Sequence, residues 1–253
     1  MKNYNSGSYN QNQKAIEFIC TANQGRSVPA EIFANEYIER RAQSDPSYNN
    51  FRAISSGSGV NDIKAGNQSL GFMSKIVKKG IERGIYGQDT DYVRQLLDLS
   101  EDELEARKAE VKEYFHKVEE IFIEQEHRNR EEAMTARGLE SKIKDEMEQT
   151  SPRSDVVAVL PMAKRNLDAV KKIYENAGYS PEIMEVLAAY VSGNPEDEVP
   201  NAFGETDEVY HQMIEELKPM VEEAVEKVKE ETEAQESLEE HLEDSAEEAE
   251  AAE

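Results

Sequence analysis

Residues 15–42, AIEFICTANQGRSVPAEIFANEYIERRA, decide how this chain is read. The opening AIEFICT places Ile16, Phe18 and Cys20 on one face, at the period of two that a strand requires. A polar loop containing one glycine, NQGRS, follows, and then Ile32, Phe33, Tyr37 and Ile38 fall at helical spacing. Pro29 suits the first turn of that helix, where its missing N–H costs nothing.

Working outward, Arg52–Ile54 reads as a weak second strand that stops at the turn-rich SSGSG of residues 55–59. Residues 155–163, DVVAVLPMA, form a near-continuous apolar run, as expected of a strand covered on both faces. A helix follows from about Lys164 to Asn176, stopped by Gly178, and Pro181–Val191 reads as another helical piece. Strands alternating with helices predict an α/β body with a parallel sheet.

Between these halves the pattern is helical. Phe72–Ile85 is amphipathic, and Ser100 with Glu103 makes a capping box. A stripe from Leu104 through Val111, Tyr114, Phe115, Val118, Ile121 and Phe122 then thins toward Gln149, which predicts a long helix or helical hairpin projecting from the body. That stripe offers a dimer seam, a protein-partner face or a lid over the loop, and packing on its own domain is the plainer alternative. The last core helix starts near Asp207 and runs through Tyr210, Ile214 and Leu217.

Composition narrows the function classes. The chain has 253 residues and a formal charge of −25, which disfavours phosphate backbones and hence nucleic acid. From Glu222 to Glu253 there are 15 acidic residues against two lysines, about half of the net charge, and that segment reads as a helix fraying into a solvated tail outside the core. The longest apolar stretch is eight residues, far short of the ~20 that span a bilayer, so no membrane role is expected. The start, MKNYNSGSYNQNQ, has no apolar secretory core and reads as a disordered leader. One cysteine permits no internal disulfide and no cysteine zinc cage, so a reducing cytoplasm is expected. The four histidines show no ligand spacing and read as solvated; no metal and no cofactor is expected.

Chemistry concentrates in Cys20, Thr21, Ala22, Asn23, Gln24, Gly25, Arg26 and Ser27. A loop running from a strand into a helix can turn successive N–H groups inward as an anion nest, reinforced by the helix N-terminus. Arg26 can fork onto two phosphate oxygens, and the same positive field favours a thiolate at Cys20. A thiolate at the base of an oxyanion cradle is what attack on phosphorus requires.

The string Cys20-Thr21-x-Asn23-x-x-Arg26-Ser27, followed by Ala30-Glu31, resembles the phosphate-binding loop of low-molecular-weight protein tyrosine phosphatases and of arsenate reductases that share their fold. Ser55–Ser58 is similar to that family's Ser-Ala-Gly-Thr segment, Lys79–Ile85 to a helix end with its Gly-Ile, and 198–204 (EVPNAFG) to its Val-Pro-Asp-Pro-Phe-Gly loop. The likeness runs in order over roughly 15–88 and 153–220. It implies a phosphomonoesterase acting on a phosphorylated protein or small phosphoester through a cysteinyl-phosphate. Cys20 would be the nucleophile and Arg26 the clamp, with Thr21–Ser27 binding phosphate, Asn23 and Ser27 orienting the loop, and Ser55 supporting it.

The departures are informative. Asn201-Ala202 stands where the family has the Asp-Pro whose carboxyl serves as general acid. An amide cannot replace it, and such help is worth about 10²–10⁴-fold. Glu196, Asp197, Glu198, Glu205 and Asp207 are the nearby carboxylates that could substitute. Ala22 replaces a loop glycine, and the proline after Arg-Ser is displaced to Pro29. The rival expectation is a non-catalytic phosphate or phosphoprotein binder that keeps the cradle. A structural interaction protein with an inert Cys20 is the blander one. An arsenate-reductase relay within the chain lacks the further cysteines it needs, leaving only an external thiol.

The expected whole is a three-layer α/β sandwich with a parallel sheet of about four strands. Its segments are a leader (1–13), a phosphatase-like body in two parts (14–98 and 153–221), a helical insertion (99–152) and an acidic tail (222–253).

Overall fold

The computed structural model describes residues 13–144 and 146–250, the side chains of 240 and 243–250 excepted. Nearly all of the expected leader, 1–12, and the last three residues of the tail lie outside the described residues. Strand β1 (Lys14–Cys20) is central in a fully parallel sheet of order β2-β1-β3-β4, with β2 at Phe51–Gly57, β3 at Val156–Pro161 and β4 at Ile183–Met184. Alternate residues of β1 serve two cores. Ile16, Phe18 and Cys20 face helices α1 (Ser27–Ala42) and α9 (Asp207–Glu250), whereas Ala15 and Ile19 meet Val170 and Tyr174 of α7 (Lys164–Ala177). The body is therefore a three-layer sandwich. The carboxyl ends of β1, β2 and β3 meet in register, Cys20 beside Gly57 and Ile19 beside Pro161, and such ends are where open α/β sheets bind ligands.

Two sheet elements differ from the expectation. β2 runs on to Gly57, through residues that read as a turn, because its polar side chains are satisfied inside the fold: Ser55 Oγ donates to Glu31 Oε2 at 2.6 Å, and Ser56 Oγ meets Thr150 Oγ1 at 2.8 Å. Within Pro181–Val191, Ile183 and Met184 pair with Ala158 and Val159 as an edge strand, and helix α8 starts only at Leu187 (Leu187–Ser192).

The region between the halves contains α2 (Val60–Lys64), α3 (Leu70–Glu82), α4 (Thr90–Leu97), α5 (Glu101–Ala106) and α6 (Lys108–Thr135). The capping box at Ser100 and Glu103 is present, and the helix it opens breaks at Arg107. The long α6 does not project. Val111, Phe115, Val118 and Phe122 are buried against α3 and α4 in a second core, and the stripe packs on its own chain. The later turns bury Gln125, Asn129 and Arg130 between the loop after β1 and the start of α9.

The segment from Glu222 also departs from its expected place outside the core. Val221, Ala224, Val225, Val228 and Thr232 are buried at helical spacing, so α9 carries its packing stripe well into the acidic region. Burial raises the Glu226 carboxyl, but hydrogen bonds from the Tyr37 and Tyr48 hydroxyls, with Arg41 at 3.2 Å, outweigh it and hold the group below its ordinary range. Some of the acid charge is thus structural. Small apolar residues spaced among many glutamates vanish in a composition average but form a continuous face on a helix. Leu238 and Leu242, farther on, are exposed. Among the described residues no helix is long and apolar enough to cross a membrane.

Candidate active site

Residues 21–26 connect the end of β1 to the first turn of α1, so the loop adjoins the positive end of that helix. Its start is fixed by the residues that follow β2: Ser58 N–H donates to the Cys20 carbonyl (2.9 Å) and Gly59 N–H to the Thr21 carbonyl (3.0 Å). Gly57 permits this approach, since a Cβ there would lie 2.7 Å from Thr21 O and 2.8 Å from Asn23 N. Asn23 is the one non-glycine with positive φ (53°) among the described residues, a conformation asparagine tolerates best.

Asn23 and Ser27 form a relay behind the sulfur. Ser27 Oγ lies 3.1 Å from Cys20 Sγ and 2.9 Å from Asn23 Oδ1, while Asn23 Nδ2 reaches toward the Ser55 carbonyl at 3.5 Å. A hydroxyl has one proton and here two acceptors. With Cys20 protonated, that proton goes to Asn23; with Cys20 as thiolate, it can turn to the sulfur. All four groups are buried.

The loop's far side is held by residues distant in sequence. Arg130 Nη1 donates to the Gln24 carbonyl (3.1 Å) and side-chain oxygen (2.9 Å), and Tyr210 OH donates to the Gly25 carbonyl (3.1 Å). These bonds fix the Gln24 and Gly25 carbonyls. Asn166 Nδ2 ties Thr21 Oγ1 to Ser58 Oγ, 3.0 Å from each. Arg26, 5% exposed, donates from Nη1 to the Val199 carbonyl at 2.9 Å. Burial lowers its guanidinium pKa and the nearby Cys20 pulls it back up; an arginine stays charged in either case.

A cavity of about 280 Å³ opens above the loop. Cys20, Thr21, Ala22, Gln24, Gly25 and Arg26 line it, and Asn201 and Arg165 stand in its wall with the apolar Phe72, Ile123 and Phe203. Asn23, Ser27 and Ser55 sit behind the loop as supports. The five candidate replacement acids do not line this space. Glu196 and Glu198 engage Lys164, Glu205 binds Lys79, Asp197 accepts from Asn194, and Asp207 accepts from Gln125 and Asn129, which hold its carboxyl below the usual range. No group of three or more His, Cys, Asp or Glu side chains among the described residues could hold a metal.

Sequence reasoning missed what α6 brings. His127, read as solvated, has Nε2 2.6 Å from Gln24 Oε1, and Glu126 lines the cavity beside it. Burial pushes the Glu126 carboxyl up to about 7, against the opposing pull of Arg26 and Arg130. One signal was available: Glu126, Asn129, Arg130 and Ala133 stand at helical spacing from Phe122, on the face that carries the apolar stripe of α6. Asn166 carried another, since it lies in the first turn of the helix that follows a strand's carboxyl end.

No family model matches the sequence, and no curated protein matches it. Solved structures are similar in chain path. YwlE from Bacillus subtilis is 14% identical at a TM-score of 0.49, over 86% of this chain and 99% of that one. A YwlE arginine phosphatase from Geobacillus stearothermophilus is 14% identical at 0.43, covering 86% and 94%. A low-molecular-weight protein tyrosine phosphatase from T. tengcongensis is 17% identical at 0.44, covering 85% and 99%. The solved proteins to which this chain is similar thus include both protein tyrosine and arginine phosphatases.

Proposed function

We propose that the chain is a phosphomonoester hydrolase of the protein-tyrosine-phosphatase type. Cys20 attacks phosphorus, Arg26 and the loop amides stabilise the equatorial oxygens, and water hydrolyses the cysteinyl-phosphate. The observation that carries this reading is the joint placement of Cys20 and Arg26 on one cradle at the start of α1, with Ser27 and Asn23 relayed behind the sulfur. The apolar Phe72, Ile123 and Phe203 suit an aromatic ester, as in phosphotyrosine of a protein or a small aryl phosphate. Arg165 adds local positive charge at the mouth, so capture of an anion does not depend on the overall field of −25. The chemistry needs no cofactor, and a nucleophilic thiol fits the reducing cytoplasm.

Asn201 in the cavity wall favours one alternative, a phosphoprotein-binding module that keeps the cradle without turnover. Both readings require an anion seated over Cys20, which alkylation tests. Vanadate or phosphate at about ten times its Kd is expected to slow iodoacetamide modification of Cys20 about tenfold. An unchanged rate would remove both. Hydrolysis of an aryl phosphate separates the two.

A further inference from the structure

Resting on the phosphatase reading, we infer that Glu126 of α6, and not a residue of the loop carrying Asn201, is the general acid and base of the reaction. Three observations converge on it. The position where the resemblance expects a carboxylic acid holds an amide, and the five carboxylates near it are engaged elsewhere. Glu126 lines the same cavity as Cys20, Arg26 and Asn201. Its carboxyl also rests directly on the phosphate loop: a Cβ on Gly25 would lie 2.1 Å from Glu126 Oε1, so the missing side chain at Gly25 is what makes the seat. Glu119, the other carboxylate in the cavity wall, sits two turns back along α6 and is paired with His116 at 3.2 Å.

The charged and titratable groups around Glu126 are Cys20 and Arg26 from the loop, His127 and Arg130 from α6, Arg165 from α7 and Tyr210 from α9. Burial outweighs the two arginines that oppose it, so the carboxyl titrates at about 7 and both of its forms are populated near neutrality. In the first half-reaction the Cys20 sulfur bonds to phosphorus, the ester P–O bond breaks, and the Glu126 proton passes to the leaving oxygen. In the second, the Glu126 carboxylate takes a proton from water as the water oxygen bonds to phosphorus. The S–P bond then breaks, releasing phosphate and restoring the thiolate.

The test compares kcat/KM, which reports only the steps through formation of the cysteinyl-phosphate, for the wild type and for Glu126→Gln on phenyl phosphate and on 2,4-dinitrophenyl phosphate, whose leaving group needs no proton, over a pH range spanning about 7. The kcat/KM for phenyl phosphate is expected to fall about 10²-fold or more and that for dinitrophenyl phosphate by less than about tenfold. The wild type should lose rate as pH rises through about 7, where the acid form disappears, and Glu126→Gln should lack that limb. Glu126→Asp, which keeps a carboxyl, should retain the limb at a lower rate and serves if the glutamine variant fails to fold. Equal losses on both esters, or an unchanged limb in Glu126→Gln, would overturn the assignment alone. A wild type without Cys20-dependent turnover of either ester would overturn the phosphatase reading and this inference with it.

Discussion

Cys20→Ser is expected to remove turnover of aryl phosphates, by about 10⁴-fold or more, while leaving phosphate binding and the fold intact. The size follows from the role. Losing a covalent nucleophile costs far more than losing one stabilising hydrogen bond, because the two-step route closes altogether. A serine hydroxyl in the same place stays protonated, and the nearest hydroxyl, Ser27 Oγ at 3.1 Å, is no general base. The substitution is close to isosteric in a buried position, and Ser27 can still hydrogen-bond to the new hydroxyl. Steady-state kinetics beside calorimetric titration with phosphate would separate lost chemistry from lost binding. Turnover within tenfold of wild type would show that Cys20 is not the nucleophile.

Arg26→Lys should be the next most damaging change, at about 10²–10³-fold in kcat/KM. An ammonium keeps the charge but not the planar fork that grips two oxygens of a trigonal-bipyramidal phosphoryl group. Arg26 also donates to the Val199 carbonyl at 2.9 Å, and losing that donor in a buried site should lower stability by about 1–3 kcal/mol. Arg165→Lys, at an exposed residue of the same wall, is the matched control and should cost far less. Kinetics with a denaturant melt on each variant would show whether the two arginines differ as their burial requires.

The parts of the fold that were legible in the sequence were the local ones. The strand, loop and helix of residues 15–42 sit within one continuous stretch, and the apolar run of β3 needs no partner to be recognised. The parts that were not legible depend on distant satisfaction. Ser55 and Ser56 look like turn residues until Glu31 and Thr150 accept their place in a strand. Ile183–Met184 is a strand only because β3 offers an edge, and the acidic reach of α9 is buried only because α1 presents Tyr37 and Arg41.

The site divides along the same line. The stretch Cys20–Ser27 is contiguous in sequence, whereas the groups that hold it come from afar: Arg130 lies 106 residues from Gln24, and Tyr210 lies 185 from Gly25. Helix α6 therefore packs on its own chain and holds this loop, and does not project beside it. Much of the net charge of −25 sits on the helices that build this site, yet the cavity itself gathers Arg26, Arg165 and the neighbouring Arg130.

Rapid quench of the protein into denaturant during aryl phosphate turnover, followed by mass spectrometry of the peptide containing Cys20, decides whether the route is covalent. One phosphoryl group is expected on that peptide, bound through sulfur, which accumulates when breakdown is slowed and is absent from Cys20→Ser. Turnover that proceeds without a phosphorylated Cys20, or that survives its replacement, would contradict it.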